Sequence, residues 1–217
     1  MKKQDFLNGL QKLEEHKRKF PQSYELIINL KGLNLKKPEE QVEVFLELPH
    51  APRKETKVAA LVGGELAEHA KEVCDAAITT DDFIKYGDKK SIKQLSRSYD
   101  FFIAQANIMP QVAKQFGRVF GPHGKMPNPK VGCVVPPNAN LSPLVERLKT
   151  TIRAAAKVDA SVKVKVGYEG QDLNHIAENM AAVYHAVFAK LPQEINNIKN
   201  VMIKKTMSPP VKIEEAK

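Results

Sequence analysis

Val58-Ala-Ala-Leu-Val62 is an unbroken apolar run, closed at once by Gly63-Gly64. A strand with no polar side is covered on both faces, as in a parallel sheet with helices above and below it. The pattern continues downstream. Leu66, Ala70 and Val73 follow at helical spacing, Ala76-Ala-Ile78 is a short strand, and helical pieces lie around Phe83 and from Ile92 to Leu95. Phe101-Phe-Ile-Ala104 is another apolar strand, and a helix from about Met109 carries Val112, Ala113 and Phe116. Cys133-Val-Val135, a Pro136-Pro137 break and a helix opened by Ser142-Pro143 complete the series. Strands and helices alternating at this spacing predict βαβ units and a mainly parallel sheet.

Both flanks read differently. Upstream, residues 4–18 place Phe6, Leu7, Leu10 and Leu13 at helical spacing, and Pro21 ends the pattern. From Ser23 to Lys31, Tyr24, Leu26, Ile28 and Leu30 alternate with Glu25, Ile27, Asn29 and Lys31, which predicts a strand with one buried face. After a turn at Lys36-Lys-Pro-Glu-Glu, Val42, Val44, Leu46 and Leu48 alternate again, and the prolines of residues 49–54 make a linker. Downstream, Val162, Val164 and Val166 alternate with Lys163, Lys165 and Gly167. Asp172 caps a helix reaching Lys190 with Ile176, Met180, Val183 and Val187 on one face, and Val201 and Ile203 mark a last strand.

Size decides the topology. Each flank, of about 60 residues, is a marginal core alone. Helix-β-β and β-α-β are complementary, and together they make one ordinary layer. The fold class is therefore α/β with two domains. Residues 1–56 and 155–217 form an α+β, split β-α-β domain, interrupted by a Rossmann-like βαβ domain at 57–154. The two chain crossings would act as a hinge. The middle segment is the most basic, with 14 Lys and Arg against 9 Asp and Glu, compared with 11 and 9 before it and 9 and 7 after it.

With 42% hydrophobic and 27% charged residues, the 217-residue chain has an ordinary globular composition. Its net charge of +9 favours an acidic partner, nucleic acid above all. Cys74 and Cys133 lack metal-ligand or CxxC spacing and read as reduced, buried thiols of a cytoplasmic protein. No run of 18 apolar residues suits a membrane, and Met1-Lys-Lys-Gln-Asp has no apolar signal core.

The stretch from Phe116 to Gly132 holds Gly121, Pro122, Gly124, Pro127 and Pro129 with Arg118, Lys125 and Lys130, and no acid. Its prolines and glycines predict a rigid, ordered loop rather than a helix or strand. No Asp or Glu occurs between Asp100 and Glu146, so the loop suits a polyanion or is simply solvated.

Catalysis finds no foothold. Gly121-x-x-Gly124-Lys125 lacks the first glycine and the Ser/Thr of a phosphate-binding loop, and Leu61-Val-Gly-Gly-Glu lacks G-x-G-x-x-G. The six histidines match no zinc spacing, so neither a metal nor a cofactor is expected. A nucleotide-binding α/β enzyme built on the middle domain is the alternative reading.

RNA has more support. Lys163 and Lys165 share one strand face, as a cationic row or a solvated one. A second acid-free window, Ile195 to Ile213, holds Lys199, Lys204, Lys205 and Lys212. Phe20 follows Lys17-Arg-Lys19, so it either packs on a ribose or base beside phosphate-binding cations or caps the core where a helix ends. Glu25 either accepts a ribose 2′-OH or is an exposed strand acid.

Lys19-Phe20-Pro-Gln-Ser-Tyr-Glu25-Leu, Phe120-Gly-Pro-His-Gly-Lys-Met-Pro-Asn-Pro-Lys-Val-Gly132 and Lys205-Thr206-Met207-Ser208-Pro209 occur in the order and spacing of the ribosomal protein L-one family, in wording similar to its archaeal members. The resemblance runs over nearly the whole chain. It implies the two-domain insertion fold and binding to the large-subunit rRNA of the mobile lateral stalk. It also implies help in releasing deacylated tRNA from the exit site, repression of the protein's own mRNA through its leader, and a monomer when free. By matching positions the implied rRNA contacts are Phe20, Glu25, Thr206, Met207 and Ser208, with Asn200 where the family often has serine. Lys19, Lys163, Lys165 and Lys205 complete the candidate set from the charge pattern. Ser208 departs from the family's usual glycine.

Overall fold

The computed structural model describes residues 1–16, 18–52 and 55–213. Lys17 of the expected cationic run, and Arg53 and Lys54 of the expected linker, lie outside the described residues. In chain order the helices and strands are α1 (Lys3–Leu13), β1 (Ser23–Leu30), β2 (Val42–Glu47), β3 (Val58–Val62), α2 (Ala67–Val73), β4 (Ala76–Thr79), α3 (Lys89–Ser98), β5 (Phe101–Gln105), α4 (Met109–His123), β6 (Val134–Val135), α5 (Ser142–Thr150), β7 (Thr151–Ala156), β8 (Ser161–Tyr168), α6 (Leu173–Phe188), β9 (Ile198–Lys205) and β10 (Val211–Ile213).

The chain divides into two compact units, Met1–Lys54 with Thr150–Lys217, and Glu55–Lys149. The second boundary falls before β7, whereas the sequence pattern put it after Ala154. Thr151-Ile-Arg-Ala-Ala-Ala156 has too many alanines to declare itself a strand. Pairing decides it: Val42 to Glu47 of β2 lie antiparallel to Ala156 to Thr151.

In the unit built from both ends, β10-β9-β1-β8 form an antiparallel sheet. Tyr24, Leu26, Ile28 and Leu30 of β1 point to one face with Val162, Val164, Val166, Val201, Ile203 and Ile213. That face is covered by Phe6, Leu10 and Leu13 of α1 and by Ile176, Met180, Val183 and Val187 of α6. Burying each such side chain contributes about 1.5–3 kcal/mol before the entropy of ordering it. Gly9 lets α1 sit close, because a Cβ there would lie 2.9 Å from Ile203 Cδ1. The alternation expected through Gly167 is broken. Tyr24 pairs with Gly167 but Glu25 pairs with Lys165, so Val166 is the extra residue of a bulge and Gly167 is buried beneath Ile176.

The other unit carries the parallel sheet β4-β3-β5-β6. All five residues of β3 are buried, as the apolar run requires. The stretch from Phe116 corrects the expectation of a loop. α4 continues through Gly117 and Gly121 to His123, with Pro122 in its last turn. Phe116, Val119 and Phe120 recur at helical spacing and are buried among Phe83, Phe102 and Val112, and that burial outweighs the poor local propensity. The proline is tolerated because the helix ends there. Gly124 takes φ 64°, its amide donates to Gly121 O, and the Lys125 amide donates to Phe120 O. Lys125 is also tied inward, its Nζ donating to the carbonyls of Tyr99 and Asp100 at 2.8 and 3.0 Å. The loop itself is short, running to a 3-10 turn at Pro129–Val131.

Candidate nucleic-acid interface

Strand register places the polar residues of the first unit on one face. Glu25 lies between Lys165 on β8 and Lys204 on β9, Ile27 between Lys163 and Met202, and Asn29 between Ser161 and Asn200. Lys212 of β10 extends the middle row beyond Met202. None of these side chains is buried. Cross-strand neighbours sit about 5 Å apart, so Lys165 and Lys204 flank Glu25, with Lys163 and Lys212 in the next row of the same face. Asn29 Nδ2 donates to Asn200 Oδ1 at 2.7 Å, fixing the amide row. Lys163 is exposed and makes a long contact of 3.4 Å to Asp159.

The remaining candidates meet at one corner, where the chain enters β1 and leaves β9. The Ser23 amide donates to Thr206 Oγ1 at 3.0 Å and the Thr206 amide donates to Ser23 O at 3.1 Å. Gln22 ties the same strap. Its Oε1 accepts from the Met207 amide at 3.1 Å, and its Nε2 donates to His16 O at 3.0 Å. Phe20 and Met207, 46% and 60% exposed, therefore stand on two segments held together across most of the sequence. Lys19 is exposed beside Phe20. An exposed aromatic, an exposed thioether and flanking lysines can offer a nucleotide a stacking surface and charge compensation.

Lys205 corrects the charge-based expectation. Its side chain is 1% exposed, with Nζ 3.0 Å from Glu169 Oε1, 3.2 Å from Glu14 Oε1 and 5.3 Å from the centre of the Tyr24 ring. A cation enclosed by two carboxylates is not available to a phosphate; it holds the corner together. Tyr24 OH donates to Glu14 at 2.5 Å, which lowers the Glu14 carboxyl below its ordinary range, aided by Lys205. Burial, then Glu14, pushes the Tyr24 hydroxyl well up. The Gln22 amide donates to Glu169 Oε2 at 2.9 Å and is the main reason that the Glu169 carboxyl is lowered, with Lys205 contributing.

Ser208 is 8% exposed and turned inward. Its Oγ accepts from the Lys205 amide at 2.8 Å, closing the turn between β9 and β10. Among the described residues Glu194 is the only non-glycine with positive φ, so Ser208 needs no glycine-like backbone. The hydroxyl serves the turn.

Sequence reasoning singled out Lys163, Lys165, Asn200, Glu25 and the corner residues, and the register brings the first four onto one surface. It did not single out Ile27, Asn29 or Met202 for the face, although the period-two pattern of β1 held that signal. Gln22 lay inside the quoted stretch Lys19–Leu26 but was not singled out, and Glu169, which it helps to strap, carried no motif at all.

The alternative of a nucleotide site in the other unit meets an occupied amide. After β3 the Gly63 N–H, which would face an anion, donates to Gln105 Oε1 at 2.7 Å, and Gln105 Nε2 reaches Glu65 at 3.4 Å. Among the described residues no group of three or more His, Cys, Asp or Glu is placed to hold a metal ion, and no helix is long and apolar enough to cross a membrane. Cys74 and Cys133 are buried free thiols, pushed up to about 11 chiefly by burial.

The model of the Ribosomal protein L1p/L10e family matches residues 10–209. The chain belongs to this family. It is a ribosomal protein rather than an enzyme, which removes the nucleotide-binding alternative. Among its relatives is the large ribosomal subunit protein uL1 of Pyrobaculum calidifontis, 42% identical over 202 residues, covering 92% of this chain and 88% of that one. The protein of the same name from Thermofilum pendens is 40% identical over 200 residues, covering 91% and 86%. That of Methanothermococcus thermolithotrophicus is 42% identical over 199 residues, covering 91% of each. All three relatives are archaeal, as the sequence wording predicted for this member of the family.

Proposed function

We propose that the chain is a structural constituent of the large subunit of the cytoplasmic ribosome, that it binds rRNA of the lateral stalk, and that binding runs through the discontinuous unit. The supporting observation is the strap between Gln22–Ser23 and Thr206–Met207. It joins the exposed Phe20 and Met207 into one corner beside a sheet face bearing Lys163, Lys165, Lys204 and Lys212. Thr206 shapes the corner, Phe20 and Met207 supply apolar surface, and the lysines neutralise phosphates. Glu25, on the same face, accepts a ribose 2′-OH and so favours RNA over DNA. Affinity for a stalk rRNA hairpin tests this reading. Phe20→Ala should weaken binding about tenfold or more, the scale of one lost base stack; unchanged affinity would contradict it.

Release of exit-site tRNA and repression of the protein's own mRNA belong to the same proposal and rest on family membership. The mRNA element is tested by footprinting the leader transcript with added protein. Protection that Phe20→Ala removes supports it, and an unprotected leader counts against it. A monomeric free protein is expected on sedimentation.

A further inference from the structure

In the unit with the parallel sheet, α3 and α4 pack together on one face, over Ala59, Leu61, Phe102 and Ala104. Their outward sides are charged in one sense only. α3 exposes Lys89, Lys90, Lys93 and Arg97, and α4 exposes Lys114 and Arg118. Neither helix contains an Asp or Glu. At 100° per residue the four cations of α3 fall within an arc of about 100°, next to the arc on which Ile92, Leu95 and Ser96 are buried. The row is thus a surface feature, not a scatter.

The rest of the unit is charged the other way. Residues 55–149 hold 13 Lys and Arg against 10 Asp and Glu, a net of +3. The two helices hold six and none, a net of +6, so the remainder is net −3. α2, for comparison, carries Glu68, Glu72 and one Lys71. Among the described residues none of the six side chains makes an ion pair. By contrast Lys3 of α1, Lys163 of β8 and Lys85 of the 3-10 turn at Asp81–Tyr86 pair with Glu178, Asp159 and Asp82. The nearest acid in sequence is Asp88, at the start of α3. Keeping six cations unpaired on two packed helices costs self-repulsion that a polyanion would relieve.

The surface has no exposed aromatic to stack on a base and no large apolar residue to enter a membrane; between the cations it shows Gln94, Ser98, Gln111 and Ala113. We infer that the outer face of α3 and α4 is a second RNA-binding surface, which holds the phosphate backbone of a helical RNA without reading its sequence. Each lysine or arginine that meets a phosphate releases a counterion, so binding there must weaken steeply with salt.

The test uses the full chain and a 20-base-pair RNA duplex of arbitrary sequence, with affinity measured across salt. Lys89→Gln, Lys93→Gln, Arg97→Gln and Arg118→Gln together should reduce the log–log salt slope by about 3 and weaken binding more than tenfold near 0.1 M salt. A charge-matched variant, Lys57→Gln, Lys71→Gln, Lys130→Gln and Lys149→Gln, should change the slope by less than about 1. Equal losses in the two variants would mean that net charge alone acts, and no loss in the first would remove the surface; either overturns the inference. Melting by circular dichroism checks the fold. If the fourfold variant is unfolded, the Lys93→Gln/Arg97→Gln pair should still show about half the slope change, and no change overturns the inference. Phe20→Ala should leave duplex binding unaltered, so failure here is distinct from failure of the stalk-binding reading.

Discussion

Ser23 and Thr206 are joined by two hydrogen bonds across 183 residues: the Ser23 amide donates to the Thr206 side-chain Oγ1 at 3.0 Å, and the Thr206 amide donates back to Ser23 O at 3.1 Å. The two ends of the chain are closed into one unit at the point where the candidate RNA contacts stand. Removing the hydroxyl acceptor should therefore affect shape as well as contact. Thr206→Val is expected to leave the Ser23 N–H short of a partner, costing about 1–3 kcal/mol of stability, and to weaken stalk-hairpin binding about tenfold. Thr206→Ser should restore most of both. Urea midpoints and hairpin titrations, read together, check this.

Lys205 and Lys204 are neighbours in sequence with opposite fates, one enclosed by Glu14 and Glu169 and the other on the sheet face. Lys204→Met should lower the salt slope of hairpin binding by about 0.7–0.9, as one lost phosphate contact does. Lys205→Met should leave the slope unchanged but destabilise the fold by about 1–3 kcal/mol, since two partly exposed carboxylates lose their shared cation. A slope change in Lys205→Met would place that side chain at the RNA after all.

Acid should loosen this unit. The carboxyls of Glu14, Glu169 and Glu178 all lie below their ordinary value of 4.5 in the folded chain. Glu178 reaches about 2, held first by Lys3 and then by His50. A depressed folded pKa contributes stability that is fully present above the unfolded value and is lost as pH falls through the folded one. The melting temperature should be level with respect to these groups above about pH 5 and should fall between about pH 4.5 and 2. Glu178→Gln should be less stable than the parent at neutral pH and show a shallower acid decline; an unchanged decline would contradict the assignment.

Ser208 makes a smaller prediction. Its Oγ is the acceptor for the Lys205 amide, so Ser208→Ala should lower stability by about 1 kcal/mol with an unchanged denaturant slope. Ser208→Gly should cost slightly more because the unfolded chain gains freedom.

Where the sequence was legible, burial had written a period into it. Tyr24, Leu26, Ile28 and Leu30 declared both the strand and its exposed side, and Val58–Val62 declared a covered one. β7 was not legible because alanines carry little strand preference of their own; its pairing with β2 is a tertiary fact. Pro122 misled for the reverse reason, since a strong local signal was overridden by the burial of Phe116, Val119 and Phe120. At the candidate interface, residue types pointed to Phe20, Glu25 and the lysine row as candidates. Nothing in a list of residues distinguishes the buried Lys205 from the unburied Lys204. Only alternation along β9 does, and there the buried positions are Val201, Ile203 and Lys205. Alternation applied strictly would have assigned Lys205 inward.

The central claim is that the unit built from both chain ends holds the stalk rRNA. The most direct test is the affinity of the full chain for one stalk hairpin, with Thr206→Ala compared with Lys130→Ala at the same salt concentration. Thr206→Ala should weaken binding about tenfold or more and Lys130→Ala less than about threefold, the scales of a lost hydrogen-bonded strap and of one screened surface charge. Equal losses from the two substitutions would contradict the account.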